Sequence, residues 1–310
     1  MHPDAREWFA GRTWQSVEWM IADLLVAKGS RTVSVVLPAL DEEATVGAVI
    51  ASIRPHVGTL VDELVVLDSG STDRTVEVAA AAGARVVRRT EVLPELEPLP
   101  GKGEVLWRSL AATSGDLLVF VDSDLVDPSP DFVPTLLGPL LLEPDVALVK
   151  GFYRRPLATE DATGSGGGRV TELMARPLIS ALRPELSGVI QPLSGEYAGT
   201  RTLFESVPFA SGYGVEIGLL LDAHAIVGLS GIAQVNLGVR RHRNQPLPAL
   251  GLMARQILGT ALARCGLLPP GVDPAAGELT RFVEVAGEWL PDTAGVAVTD
   301  RPPMRELLVR

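Results

Sequence analysis

The 310-residue chain has one cysteine, Cys265. A single thiol excludes an intramolecular disulfide and fits a reducing compartment. Within its Ala-rich helical stretch, Cys265 reads as a small core residue. Long apolar runs are also missing. None reaches the ~18 residues of a membrane span, because Pro139, Glu143, Pro144, Asp222 and His224 interrupt the richest candidates. The opening Met1-His2-Pro3-Asp4 lacks the basic-then-apolar pattern of a signal peptide. A soluble, cytoplasmic chain without stable membrane insertion is the expectation. Basic residues are in deficit, 27 Lys and Arg against 38 Asp and Glu, a net charge of −11. That argues against nucleic acid as a partner, since phosphate-backbone affinity needs a basic surface. Small phosphorylated substrates stay compatible, because a metal ion and a few arginines suffice to hold them.

Against these absences stands a hydrophobic content of 46 %, enough for one large α/β domain or two closely packed lobes. Trp14 to Ala27 shows helical spacing of apolar residues. Strands are expected at Val33–Leu37, Leu64–Leu67, Ala84–Val87 and Leu117–Val121, alternating with helices after Asp41-Glu42-Glu43, from Arg74 to Ala82 and from Glu104 to Thr113. The last strand is apolar throughout, as in a parallel sheet covered on both faces, so the fold class is α/β. After Val146–Val149 the alternation stops. Helical stretches follow near Val170–Leu182, Gly214–Ile226 and Leu250–Leu262, with a strand at Ile232–Val239 and an amphipathic piece at Leu279–Trp289. The chain therefore divides near residue 150 into a nucleotide-type half, 1–150, and a less regular half, 151–310.

Open parallel sheets bind ligands beyond the carboxyl ends of their strands. Here those ends carry Asp41-Glu42-Glu43, Asp68-Ser69-Gly70-Ser71-Thr72-Asp73 and Asp122-Ser123-Asp124. So many carboxylates on one rim are costly unless they meet a cation, a ribose or a base. An Asp-x-Asp at a strand end suits a divalent metal held together with substrate phosphates. Taken alone, it equally suits a turn capped by aspartates.

Four motifs in order resemble the metal-dependent glycosyltransferases of the A-type fold: Val33–Glu43, Val66–Thr75, Gly101-Lys102-Gly103 and Asp122-Ser123-Asp124. The resemblance implies a mostly parallel, Rossmann-like sheet, with Pro38, Leu40, Glu42 and Ser69 on the nucleoside. It also implies Lys102 near the uracil or phosphates, Asp122 and Ser123 beside the donor, and Asp124 as ligand of Mg²⁺ or Mn²⁺. Further motifs narrow the match: Gly166-Gly167-Gly168-Arg169-Val170-Thr171-Glu172, Leu193-Ser194-Gly195-Glu196, Gly212-Tyr213-Gly214-Val215-Glu216-Ile217 and Arg240-Arg241-His242-Arg243-Asn244. They are similar to the glucosyl-3-phosphoglycerate synthases, over roughly residues 30 to 265. That family transfers glucose from UDP-glucose to the 2-hydroxyl of 3-phosphoglycerate with retention, and a homodimer is what it suggests.

The residues give that role physical sense. Glycines opening a helix leave free N–H groups at the positive end of its dipole, so Gly168, Arg169 and Thr171 form a candidate acceptor site. A flexible linker is the rival reading of the glycines. His242, one of four histidines, lies in a cationic run, and the resemblance makes it the second metal ligand. Glu216 would face the sugar or the metal region, with Tyr213, Arg240 and Asn244 lining the pocket. The catalytic candidates are therefore Glu216, Asp124 and Lys102. Two other functions stay open: an inverting enzyme using Glu216 as general base on another acceptor, such as a lipid phosphate, and a non-catalytic nucleotide-sugar-binding protein.

Overall fold

The computed structural model describes residues 1–17, 19–154, 168–240, 246–272 and 277–308. In chain order the first half runs α1 (Pro3–Arg12), β1 (Thr13–Trp14), α2 (Ile21–Lys28), β2 (Val33–Ala39), α3 (Val46–Ile53), β3 (Glu63–Asp68), α4 (Thr75–Ala81), β4 (Arg85–Arg88), α5 (Lys102–Ala112), β5 (Leu117–Phe120) and α6 (Phe132–Leu142). There follow β6 (Leu148–Arg154), α7 (Arg176–Leu182), β7 (Tyr197–Thr200), α8 (Arg201–Ser206), β8 (Phe209–Ala210), α9 (Val215–Val227) and β9 (Ile232–Val239). The chain closes with α10 (Leu247–Arg264), β10 (Glu278–Val285), β11 (Glu288–Gly295), β12 (Asp300–Arg301) and α11 (Arg305–Leu308).

Eight strands form one sheet in the order β1-β9-β6-β7-β5-β2-β3-β4. All neighbours are parallel except β7, which runs antiparallel to β5 and β6. The sheet thus crosses residue 150 without a break. Period-two alternation fixes its faces. Val33, Val35 and Leu37 of β2, with Leu117 and Val119 of β5, pack under α2, α3 and α6. Val36, Leu118 and Phe120 point the other way, into a cluster with Trp107, Phe204, Ile217 and Ile257. Phe120 and Phe204 meet edge to face at 5.3 Å between centroids. Both faces are buried, which accounts for the apolarity of β2 and β5, interrupted only by Ser34.

Three expectations change. Trp14 belongs to a two-residue strand, and the helix starts only at Ile21. The stretch from Thr171 to Ala175 is a π-helical turn leading into α7. The amphipathic piece 279–289 is a hairpin, β10 against β11, with Phe282, Trp289 and Leu290 exposed. The chain end returns to the body: β12 pairs antiparallel with β8, and Arg301 reaches the fully buried Glu104 of α5 at 2.6 Å. No helix among the described residues is long and apolar enough to cross a membrane.

Candidate active site

The carboxylates on the rim do not share one task. Asp41, held at φ 55°, accepts the Thr72 N–H at 2.7 Å. Asp68, buried at the end of β3, accepts the N–H groups of Gly70 (3.0 Å) and Ser71 (3.1 Å). Glu43 accepts the Arg74 N–H at 3.0 Å, and Asp73 accepts the Glu43 N–H at 3.1 Å. Asp41, Glu43 and Asp73 thus staple the loops after β2 and β3 to each other while Asp68 closes its own turn, the turn-capping role open to short acidic side chains. The stapled loops present Pro38, Leu40, Glu42 and Ser69. Leu40 is 54 % exposed, an apolar side chain left to solvent. Glu42 is half-buried and accepts from the Thr45 hydroxyl at 3.0 Å. A cleft of about 370 Å³ opens beside them, lined by Asp68, Ser69, Gly70, Ser71, Arg88 and Thr90 among others. It stands apart from the charged centre, since none of Lys102, Asp122, Glu216 or Arg240 lines it.

That centre lies past the ends of β5, β6 and β9, where β7 begins. Ser123 fixes the strand-end loop, its hydroxyl donating to the Pro38 carbonyl at 2.6 Å. Lys102 Nζ lies 2.5 Å from Asp122 Oδ1 and 2.8 Å from Glu216 Oε1. Arg240 Nη2 lies 2.7 Å from Asp122 Oδ2 and 2.8 Å from Asp124 Oδ1. Behind it, Arg240 Nη1 donates to the Tyr153 hydroxyl at 2.9 Å, and Nε lies 3.3 Å from Glu196 Oε1. Lys150 of β6 donates to the Ser194 carbonyl at 2.7 Å, with its ammonium 4.6 Å from the centre of the Tyr197 ring.

Charge settles the protonation states. Burial alone would lower Lys102, but Asp122 and Glu216 outweigh it and hold the ammonium well above its ordinary value. Burial would raise Asp122, yet Lys102 and Arg240 keep its carboxyl well below the usual range. Lys150 is the exception. Its burial prevails over the attraction of Glu216 and pulls it down to about 8.

Gly101, at φ 106°, precedes α5, and Lys102 is its first residue. A Cβ on Gly101 would lie 2.6 Å from the Ser211 carbonyl oxygen, and one on Gly103 would strike the Ala210 carbonyl. These glycines admit close approach of the chain's own backbone, and that packing aims Lys102 into the centre. Gly195 is flush against the same ion pair: a Cβ there would collide with Asp122 Oδ2 and lie 2.6 Å from both Asp122 Oδ1 and Lys102 Nζ.

The structure therefore brings together Lys102, Asp122, Asp124, Glu216 and Arg240 out of the expected set. Gly168, at φ 84°, starts the helical stretch in which Arg169 is exposed and Thr171 buried. The Tyr213 side chain is 47 % exposed, and its N–H donates to Gln256 at 3.0 Å. His242 and Asn244 lie outside the described residues. Sequence reasoning left Lys150, Tyr153 and Glu196 without roles. The available signals were a lysine and a tyrosine in an otherwise apolar strand, and a glutamate in a motif that had no assignment.

Asp124 has the features of a cation ligand. Its side chain is 39 % exposed, and Arg240 binds its Oδ1 only. A hard carboxylate oxygen next to a second carboxylate fits a hard divalent cation. Among the described residues no group of three or more His, Cys, Asp and Glu gathers as a metal site, so a cation here needs further ligands from substrate, water or residues beyond the described ones.

Comparisons with known proteins identify the family. Residues 34–213 match the family model Glycosyl transferase family 2. The glucosyl-3-phosphoglycerate synthase of Mycolicibacterium smegmatis is 60 % identical over 304 residues, covering 98 % of this chain and 99 % of that protein. That of Petrotoga mobilis is 48 % identical over 236 residues, covering 75 % of this chain and 73 % of the relative. The crystal structure of the Mycobacterium tuberculosis enzyme with Mn²⁺, UDP-glucose and phosphoglyceric acid is 58 % identical and superposes with a TM-score of 0.86, covering 95 % of this chain and 98 % of that one. A second crystal structure of that enzyme, with Mg²⁺ and UDP, is 57 % identical at a TM-score of 0.86 and covers 96 % and 99 % of the two chains. The chain belongs to glycosyl transferase family 2 and, within it, to the glucosyl-3-phosphoglycerate synthases.

Proposed function

We propose that this chain transfers glucose from UDP-glucose to the 2-hydroxyl of 3-phosphoglycerate, with retention at the anomeric carbon. The relatives' bound ligands carry the substrates: phosphoglyceric acid with UDP-glucose in one complex, and glucosyl-3-phosphoglycerate with UDP in another. The 2-hydroxyl follows from chemistry, because position 1 of 3-phosphoglycerate is a carboxylate and position 3 is esterified. Donor binding is assigned to residues 1–150 and acceptor binding to 151–310, on one continuous sheet.

The observation that carries the mechanism is Lys102 bridging Asp122 and Glu216 at 2.5 and 2.8 Å. Pro38, Leu40, Glu42 and Ser69 hold the nucleoside on the stapled loops. Asp124, with His242, would hold a divalent cation, which stabilises charge on the departing diphosphate when bound. Lys102 adds a fixed positive charge on the same side. Glu216, with its carboxylate paired to Lys102, is suited to gripping sugar hydroxyls and poorly suited to nucleophilic attack or proton abstraction. This favours front-side displacement, in which the departing phosphate oxygen takes the acceptor proton. Gly168, Arg169 and Thr171, with Tyr213, Arg240 and Asn244, are assigned to acceptor binding.

Retention is read from the product. An α-linked product from the α-linked donor, identified by its anomeric proton coupling in NMR, supports this mechanism; a β-linked one restores the inverting reading. A homodimer and a cytoplasmic location are the corresponding proposals for assembly and compartment, and light scattering measures the first.

A further inference from the structure

We propose that Glu196 is a positioning residue for transfer, aiming Arg240 so that one edge of its guanidinium spans Asp122 and Asp124. The inference rests on the transfer function above.

Glu196 is completely buried, where an unneeded carboxylate is costly and an apolar side chain of similar size would serve packing as well. Its two oxygens face different groups. Oε1 lies 3.3 Å from Arg240 Nε, an ion pair without hydrogen-bond geometry, and Oε2 accepts from the Ser194 hydroxyl at 3.2 Å. A guanidinium offers five N–H donors in a rigid plane. With the Glu196 carboxylate beside Nε and the Tyr153 hydroxyl on Nη1, only Nη2 faces the strand end. Nη2 then meets both aspartates, at 2.7 and 2.8 Å. An unheld arginine would instead set a two-pronged fork on one carboxylate, the geometry that arginine–carboxylate pairs favour. Glu196 therefore decides whether Arg240 links Asp122 to Asp124 or binds one of them.

The turn carrying Glu196 is itself anchored. Lys150 holds the Ser194 carbonyl at 2.7 Å, and the Glu196 N–H donates back to the Ser194 hydroxyl at 3.3 Å. Next door, Gly195 leaves no room for a side chain beside Asp122 and Lys102. The Leu193-Ser194-Gly195-Glu196 motif thus has one purpose: a rigid saddle that sets the orientation of both cations of the centre.

The test compares Glu196→Gln in two backgrounds. In the wild-type background kcat should fall roughly 10- to 100-fold, the scale of misplacing a charged group of the site by up to about 1 Å. KM for UDP-glucose should stay within about threefold. In an Arg240→Met background the same change should cost less than about twofold, because a residue acting through Arg240 has nothing left to aim. Equal losses in the two backgrounds would make Glu196 merely structural and overturn the proposal, as would an unchanged kcat in the single variant. If Glu196→Gln does not fold, Glu196→Met, which buries no polar group, enters the same cycle with the same expected outcomes. Transfer by wild-type protein in the same assay separates failure of this inference from failure of the function it rests on.

Discussion

Gly195→Ala is a clean probe of the charged centre. Gly195 has no positive φ, so alanine fits the backbone, and the added methyl is the only change. That methyl would lie 2.6 Å from Asp122 Oδ1 and Lys102 Nζ. Ordinary contact needs about 3.5 Å, so the pair must yield by about 1 Å. It cannot do so cheaply, because Asp122 is held by Lys102 at 2.5 Å and Arg240 at 2.7 Å. Overpacking of this kind costs roughly 1–3 kcal/mol of stability. A shift of about 1 Å in a catalytic constellation can cost ~100-fold in rate. We therefore expect kcat/KM to fall about 100-fold, while calorimetry shows a folded protein with a modestly lower Tm. The assay is UDP release from UDP-glucose with 3-phosphoglycerate. Gly11→Ala, whose methyl would meet nothing within 4 Å, is the control and should leave activity unchanged. A Gly195→Ala enzyme within threefold of wild type would refute the claim that the Lys102–Asp122 geometry is fixed and needed.

Asp124→Ala should abolish transfer with the fold intact, as should excess chelator on wild type; full activity in chelator would remove the metal from the mechanism. Lys150 gives a pH signature. Its folded value of about 8 lies below the ordinary 10.5, so between these the unfolded chain binds the proton and the folded one does not, and stability rises with pH. From pH 7 to 9.5 the rise should be about 1–2 kcal/mol in urea titrations and absent in Lys150→Met; equal pH slopes would contradict it. Lys102 and Tyr197, both held above ordinary values of 10.5 and 10.0, act only beyond this window. Arg169→Ala should lower kcat/KM for 3-phosphoglycerate by ~10- to 150-fold with UDP-glucose affinity little changed; an enzyme unaltered toward the acceptor would return the glycine run to a linker.

What the sequence disclosed follows from what periodicity can and cannot carry. Strands β2, β3 and β5 were legible because burial on both faces leaves their middles almost wholly apolar, and β4 by its Val86-Val87 pair after a glycine-ended helix. Strand β7 was not, since Tyr197-Ala198-Gly199-Thr200 is short and carries only two strong strand formers, Tyr197 and Thr200. Its insertion between β5 and β6 is what places Glu196 beside Arg240. Side-chain direction was equally hidden. Asp41, Asp68 and Asp122 all follow strands, yet the first two turn toward loop N–H groups and only the third toward cations. The glycines around Lys102 suggest close approach to a ligand, but the structure packs them against the backbone of Ala210 and Ser211 instead. Long-range returns left no local trace at all, as with Arg301 meeting Glu104 from 197 residues away.

The central claim is metal-dependent glucosyl transfer to 3-phosphoglycerate, and product analysis after mixing the protein with UDP-glucose, 3-phosphoglycerate and Mn²⁺ or Mg²⁺ tests it most directly. The account predicts equimolar UDP and a phosphoglycerate heavier by one hexosyl unit, with neither formed when the acceptor is omitted or a chelator is in excess. UDP release that ignores the acceptor, or no turnover by folded protein with all three components present, would contradict it.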